Sequence, residues 1–521
     1  MPSPEIETNG DGDFVARVTL SLGPLQNPER GRRRRIATTI GNHAIVGLFD
    51  KEGIRTKLHD IFSTSDWSYI TACRVGYPLQ EPEDSPPTIL VGVRPNTMAI
   101  DEAVSLLKLA AQFVYCFDSL YDVAIEIIEA EVVSYACESL FHRLERPRDG
   151  CEFNEVFRNE PHIGVPLGCS DSNATGTLGG YVRLSTASDV KYMALTCHHV
   201  VTRSQAAIRP YSESKVTVTC PPLPEIDSWK QDIQERIKRC EVIIDYHRLR
   251  INKEANTLPD SGRELLQHEE DGIRLFKERY QKLLTFRNEF ARVYCTSGVA
   301  SSENDWVLDW ALAELDPGRV KAYNNLSSAL SVEVIRLMGF KYRGGIVSLN
   351  ELTTTRTPSP GCGDSLPVFK CGNSTGKTRG ELNRIHASVR MRYEFEDGAE
   401  VFIEGKSLAV VAPVPRDRTR RIWAAKAYVD PFGDQGDSGA LVFNSQGKVL
   451  GIYIGGENEY EQGHGTDDPP TRKYLAVSGI HFVSPIGPNL DSIRAAVQED
   501  PSFNGASVDV EFLWSEPWWI E

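Results

Sequence analysis

Gly433-Asp-Gln-Gly-Asp-Ser-Gly-Ala-Leu-Val442 is the stretch on which the fold of this 521-residue chain turns. Glycines at 436 and 439 flank the Asp437-Ser438 pair, so the backbone can turn tightly and aim the amides of Gly436 and Ser438 into one hole. The apolar run that follows, Ala440-Leu-Val-Phe443, has the character of a buried strand. A serine hydroxyl is a weak nucleophile and needs a base within hydrogen-bond reach, with an acid that fixes the tautomer of that base. Gly-Asp-Ser-Gly alone occurs by chance in many loops, so other segments must supply these two partners.

Two segments do. Ala194-Leu-Thr-Cys-His-His-Val-Val201 places histidines just past an apolar strand, and His199, three residues after Thr196, is the expected base with His198 as the fallback. Asn304-Asp-Trp-Val-Leu-Asp-Trp-Ala-Leu-Ala313 offers Asp309 at the head of an apolar strand, where a carboxylate can be partly buried and still face an imidazole. Asp305 competes, because residues four apart on a strand can share a face.

Together the three segments resemble the His, Asp and Ser motifs of the trypsin-like, chymotrypsin-fold serine peptidases, in that family's order. Thr196-Cys-His-His-Val-Val201 is similar to the Thr-Asn-Ala-His-Val-Val form of the HtrA branch, Asp309-Trp-Ala-Leu312 to Asp-x-Ala-Leu, and Gly436-Asp-Ser-Gly439 to the nucleophile loop. Val368 to Gly380 resembles the Lys-x-Gly-x-x-Thr-Gly-x-Thr-x-Gly hairpin that opens the second barrel in intracellular fungal and related proteins. Leu450-Gly-Ile-Tyr-Ile-Gly-Gly456 is similar to the strand lining the substrate cleft. The resemblance covers about residues 165 to 495 and implies a serine endopeptidase with two β-barrels. It implies a catalytic triad of His199, Asp309 and Ser438, an oxyanion hole from the Gly436 and Ser438 amides, and a peptide backbone held by β-pairing along Ile454, Gly455 and Gly456. Phe432 stands where trypsins carry the acid of the specificity pocket, which argues against Lys or Arg preference. No Ile-Val-Gly-Gly-like start heads the barrel region, so activation by pairing a new amino terminus with Asp437 is not expected. No cofactor and no metal are implied.

Two other motifs fail on their surroundings. Gly372-Asn-Ser-Thr-Gly376 fits the G-x-S-x-G elbow of α/β-hydrolases, but that elbow needs a buried parallel strand before it and a helix after it. A phosphate loop ending at Gly376-Lys-Thr378 would need glycine at 371, which is cysteine.

Outward from these motifs, the spacing predicts a multidomain chain. Residues 1–42 read as a disordered arm containing the basic run Arg32 to Arg35, either a solvated stretch or a nuclear or polyanion address. Residues 43–150 read as a small α+β domain, with strands at Trp67–Cys73 and Thr88–Val93, a helix from Asp101, and another from Asp118 or Ser119 to about Phe141. A linker is expected at 150–170. Short strands between turn residues then suggest a β-barrel or sandwich. Within it, apolar residues three and four apart over 225–294 predict an antiparallel helical hairpin, packed on itself or serving as a docking arm for a protein partner or second copy. Residues 496–521 form an aromatic, acidic tail.

Fifty-seven basic against seventy-two acidic residues give a formal charge of −15, which disfavours nucleic acid as main partner. The amino terminus has no apolar signal segment and no run is long enough to span a membrane. Eleven cysteines without a C-x-x-C pair, none flanking Ser438, favour free thiols in a reducing compartment, cytoplasmic or nuclear. The expected substrate is polypeptide. The rival expectation is a scaffold that keeps the barrels without turnover, using the helical arm and the amino-terminal region as working surfaces; an α/β-hydrolase esterase built on Ser374 is more distant.

Overall fold

The computed structural model describes residues 5–8, 14–19, 35–76, 82–134, 153–187, 189–202, 204–210, 216–253, 260–317, 319, 324, 344–354, 366–394, 400–411, 413, 432–457, 477–503 and 506–514. They are mostly β-sheet with helices packed around it.

One sheet is wholly antiparallel. Its strands run in the order Asp509–Phe512, Gly180–Ser185, Val190–Thr196, Ala311–Leu315, Glu289–Thr296, Thr217–Thr219, Pro166–Cys169 and Thr175–Thr177. The strands fold over one core that includes Tyr181, Leu195, Val293 and Leu312. Each fully buried side chain of that size stabilises the fold by about 1.5–3 kcal/mol.

In the second sheet, pairings close on themselves. Leu366–Gly372 pairs with Gly376–Leu382, which pairs with Glu400–Val411, then Ile480–Pro485, Val449–Glu457 and Leu441–Asn444, which returns to Leu366–Gly372. Val368, Val410, Phe432, Val442, Tyr453 and Val483 pack within one cluster of this region. Helix Ile486–Gln498 leaves its last strand and reaches the first sheet, where Ser492 accepts the Trp310 indole N–H at 3.1 Å.

The amino-terminal region departs from expectation in several places. Residues 43–150 do contain strands and helices around their own core, with Leu58, Ile70, Val91, Leu107 and Ile127. The sheet is nevertheless continuous with the ring, because Trp67–Gly76 pairs with Ala387–Glu394. The helix expected from Asp118 to Phe141 is not formed over the described residues: after a short 3-10 turn, Asp118–Leu120, the chain makes strands Ala124–Glu129 and Val132–Ser134. Ala124–Glu129 pairs parallel to Pro87–Val93 after the crossover helix Ile100–Val114, and its isoleucines suit a sheet buried on both faces. Residues 1–42 are not simply an arm either. Strands Glu5–Thr8, Phe14–Thr19 and Arg35–Thr38 join the sheet edges, and Arg35 pairs with the buried Glu126 carboxylate at 2.5 Å. The rest of the basic run lies outside the described residues. The expected linker carries helix Phe153–Val156 and strand Pro166–Cys169, and the expected tail supplies Asp509–Phe512 to the first sheet, while 515–521 fall outside the described residues.

The hairpin insertion is two helices, Leu223–Lys253 and Asp260–Thr285; the last residues of the expected span belong instead to strand Glu289–Thr296. Its base packs Ile226, Trp229, Ile233 and Leu283 against Phe153 and Phe157. Farther out, Val242, Tyr246 and Leu249 are exposed at steps of four and three. Among the described residues no helix is long and apolar enough to cross a membrane.

Candidate active site

Strand register brings His199 and Asp309 together. Thr196 lies opposite Ala311 in the antiparallel pair, so the turn entered at Cys197 and the approach to Ala311 meet at the same end of the sheet. His199 stands in the short helix His198–Val201, and its Nδ1 is 2.5 Å from Asp309 Oδ2, with the His199 backbone N–H donating to Oδ1 at 3.3 Å. Asp309 is almost wholly buried. Burial alone would raise its carboxyl, but the His199 charge and hydrogen bonds, with His198, outweigh that and hold it below the usual carboxylate range.

Both competitors are accounted for. His198 turns its Nε2 to the Ser204 carbonyl at 2.8 Å, and burial lowers its pKa. Asp305 sits exposed at φ 62°, with Lys406 3.8 Å away.

A third partner of Asp309 was not foreseen. Tyr393, fully buried on strand Ala387–Glu394, donates its hydroxyl to Oδ2 at 3.2 Å, and its ring meets the His199 ring edge-on at 6.0 Å. Burial, then the Asp309 charge, pushes its phenol well above the ordinary value, so it stays a donor. Tyr393 has no local motif; only the pairing of its strand brings it here.

Ser438 is pressed against the same turn. Its carbonyl accepts the Thr177 amide at 2.8 Å, and a Cβ at Gly439 would lie 2.3 Å from Thr196 Oγ1, so glycine there allows the two sheets to close. The Ser438 hydroxyl bonds the Ile454 carbonyl at 3.4 Å, and the residue has no exposed surface. His199 Nε2 is buried and has no partner among the described residues. Gly436 adopts φ 95°, and its carbonyl accepts the Thr177 hydroxyl at 2.9 Å, while the amides of Gly436 and Ser438 donate to no acceptor among the described residues.

The hairpin Leu366–Leu382 explains how that loop keeps its shape. Lys370 Nζ is 2.7 Å from Asp437 Oδ2, and both side chains are wholly buried. The Asp437 carboxylate also accepts the Ser374 and Thr375 amides at 2.8 and 3.2 Å, the Thr375 hydroxyl at 2.6 Å and the Asp434 amide at 3.0 Å. Burial would raise this carboxyl; Lys370, followed by these hydrogen bonds, holds it low instead. A Cβ at Gly372 would fall 2.3 Å from Asp437 Oδ1. Thr378 donates to the Phe432 carbonyl at 2.6 Å, and Gly380 leaves room for the Phe432 ring. Lys370, Gly372, Thr375, Thr378 and Gly380 thus cradle residues 432–437. The segment Gly372 to Gly376 is the turn of a β-hairpin, not a strand-to-helix elbow.

Phe432 needs correction. It has no exposed surface and packs its ring against Tyr453 at 6.0 Å and His481 at 5.7 Å, so it is core rather than substrate contact. Burial, then Lys370, lowers the His481 pKa to about 3, keeping that cluster neutral around the Lys370–Asp437 pair. Ile454 does approach the serine, whereas Gly455 and Gly456 pair with Ser134 and Val133 of the chain itself.

Ligand atoms of Cys197, His199 and Asp309 lie within 4.8 Å of one another, a spacing a metal could use. Their chemistry fits it poorly. Burial, then Asp309, drives the Cys197 thiol well above its ordinary pKa, and His199 Nδ1 is committed to Asp309. Cys73, Cys116, Cys197, Cys220, Cys240 and Cys295 are free thiols. No family model matches this chain.

Proposed function

We propose that the chain is a serine endopeptidase of the chymotrypsin type, with the two sheets as its two barrels and Ser438, His199 and Asp309 as its triad. The observation that carries this reading is the Asp309–His199 bond at 2.5 Å with Nε2 left unpartnered, together with the undonated Gly436 and Ser438 amides, while the Ser438 hydroxyl bonds the Ile454 carbonyl. Proton transfer and oxyanion binding both need that arrangement.

In this reading the Ser438 hydroxyl leaves the Ile454 carbonyl and passes its proton to His199 Nε2 as Oγ attacks a peptide carbonyl. Asp309 stabilises the imidazolium, and Tyr393 holds Asp309 in place. The Gly436 and Ser438 amides bind the oxyanion. The leaving amine takes the proton from His199, and water then resolves the acyl-enzyme by the same steps reversed. Lys370 supplies the buried cation for Asp437 that a freshly cut amino terminus would otherwise bring, so the loop is formed without cleavage. The free thiols of Cys73, Cys116, Cys197, Cys220, Cys240 and Cys295 fit a reducing compartment. A role for 225–294 in self-association is the companion proposal, resting on the exposed Val242, Tyr246 and Leu249 stripe.

The scaffold reading draws on one specific observation, the zero exposure of Ser438. A fluorophosphonate probe separates the two. The enzyme labels at Ser438, Ser438→Ala does not, and peptide hydrolysis disappears with the label; a folded wild-type chain that never labels would leave the scaffold.

A further inference from the structure

The cleft strand Val449–Glu457 already holds a partner on the edge assigned to substrate. Strand Val132–Ser134 pairs antiparallel with it, Val132 opposite Glu457, Val133 opposite Gly456 and Ser134 opposite Gly455. The approach is close: a Cβ at Gly455 would lie 2.2 Å from the Val133 carbonyl oxygen, so glycine at 455 is what admits the strand. Its direction matters as much. From Val132 to Ser134 the chain advances towards Ile454, whose carbonyl accepts the Ser438 hydroxyl, so it runs amino to carboxyl towards the nucleophile. Val132 is buried in the main core, and Val133 packs on the cluster that contains Phe432 and Tyr453. The opposite side of the strand meets Ala387–Glu394 through a parallel pairing of Val133 with Arg392 and a Glu131–Arg392 ion pair at 3.1 Å.

We propose that Val132–Ser134 is a resident occupant, in cis, of the Gly455–Glu457 edge, which a polypeptide substrate must displace to pair there. This deepens the peptidase reading and rests on it for the identity of the substrate. Main-chain pairing supplies affinity with little demand on sequence. A tethered strand competes at an effective concentration on the order of millimolar, so a free peptide at micromolar concentration gains little access until the tether lets go.

Two variants of the full chain test this. Val133→Pro removes a backbone donor and fixes φ against pairing; Val133→Gly keeps the backbone groups and covers the case in which proline unfolds the chain. A fluorescent peptide of residues 129–134 is expected to bind the folded variants saturably and to leave wild type unbound, as read by anisotropy. Failure to bind any folded variant overturns the proposal. Fluorophosphonate labelling of the same samples is expected to run at least about tenfold faster in the variants, the ratio for a difference of about 1.4 kcal/mol. If the peptide binds the variants but no sample labels, the hydrolase reading falls and the resident strand stands.

Discussion

Lys370 sits in the apolar run Val368-Phe-Lys-Cys371, where an unpaired ammonium would be expensive to bury, and Asp437 is the acid that makes the position tenable. Removing one member of such a pair strands the other. Lys370→Met is therefore expected to lower stability by about 3–5 kcal/mol in chemical denaturation at neutral pH and to reduce labelling of Ser438, because the loop carrying its amide loses its anchor. Asp437 has a folded pKa below its ordinary 3.8, so its contribution is complete above that value and is lost as pH falls through the lower folded one. Wild type should lose this increment only on acidification below about pH 4. The variant, lacking the cation, should begin to weaken at higher pH. Denaturation midpoints measured between pH 3 and 7 check both. Such a lysine is a signal the sequence does carry: a lone charge in an apolar strand asks for a buried partner. Tyr393 carries no comparable signal, since its bond to Asp309 spans 84 positions.

At the scale of elements, hairpin Leu366–Leu382 acts through its turn. A methyl at 372 would meet Asp437 Oδ1 at 2.3 Å and Lys370 Nζ at 2.8 Å, so Gly372→Ala must move the very pair that shapes the loop carrying Gly436 and Ser438. Overpacking of this kind costs about 1–3 kcal/mol. The expected result is a lower melting temperature with a larger fall in kcat than in peptide affinity, which steady-state kinetics on a peptide substrate would read. Other elements explain where sequence reading went astray. Residues 118–134 contain apolar side chains at mixed steps of two, three and four, and a helix satisfies the last two. The strand won because Pro87–Val93 offers a parallel edge and the Ile100–Val114 helix already covers that sheet. By contrast, the insertion was legible as two helices, because each repeats its apolar positions over many turns.

For the whole molecule, the boundary expected near 150 divides less than it promised. Trp67–Gly76 pairs with Ala387–Glu394, Arg55 donates to Ser388 Oγ and the His386 carbonyl at 2.7 Å, and Asn383 accepts the Ile40 amide at 3.1 Å. Shared strands and buried polar bonds couple the two regions. Their unfolding is expected to coincide: calorimetry should give one principal transition, with a calorimetric enthalpy matching the van't Hoff value. Two well-separated transitions would contradict it.

What the order of residues determined alone was local: a turn of Gly436, Asp437, Ser438 and Gly439, a histidine after an apolar strand, an aspartate before another, and two long amphipathic helices. Such features are written over a few neighbouring positions, where spacing and residue type are enough. Tertiary structure alone decided which histidine and aspartate face each other, that Lys370 neutralises Asp437, that Phe432 belongs to the core, and that Val132–Ser134 pairs with Gly455–Glu457. These depend on strand register between segments tens to hundreds of residues apart, and a one-residue slip in register would turn each side chain to the opposite face.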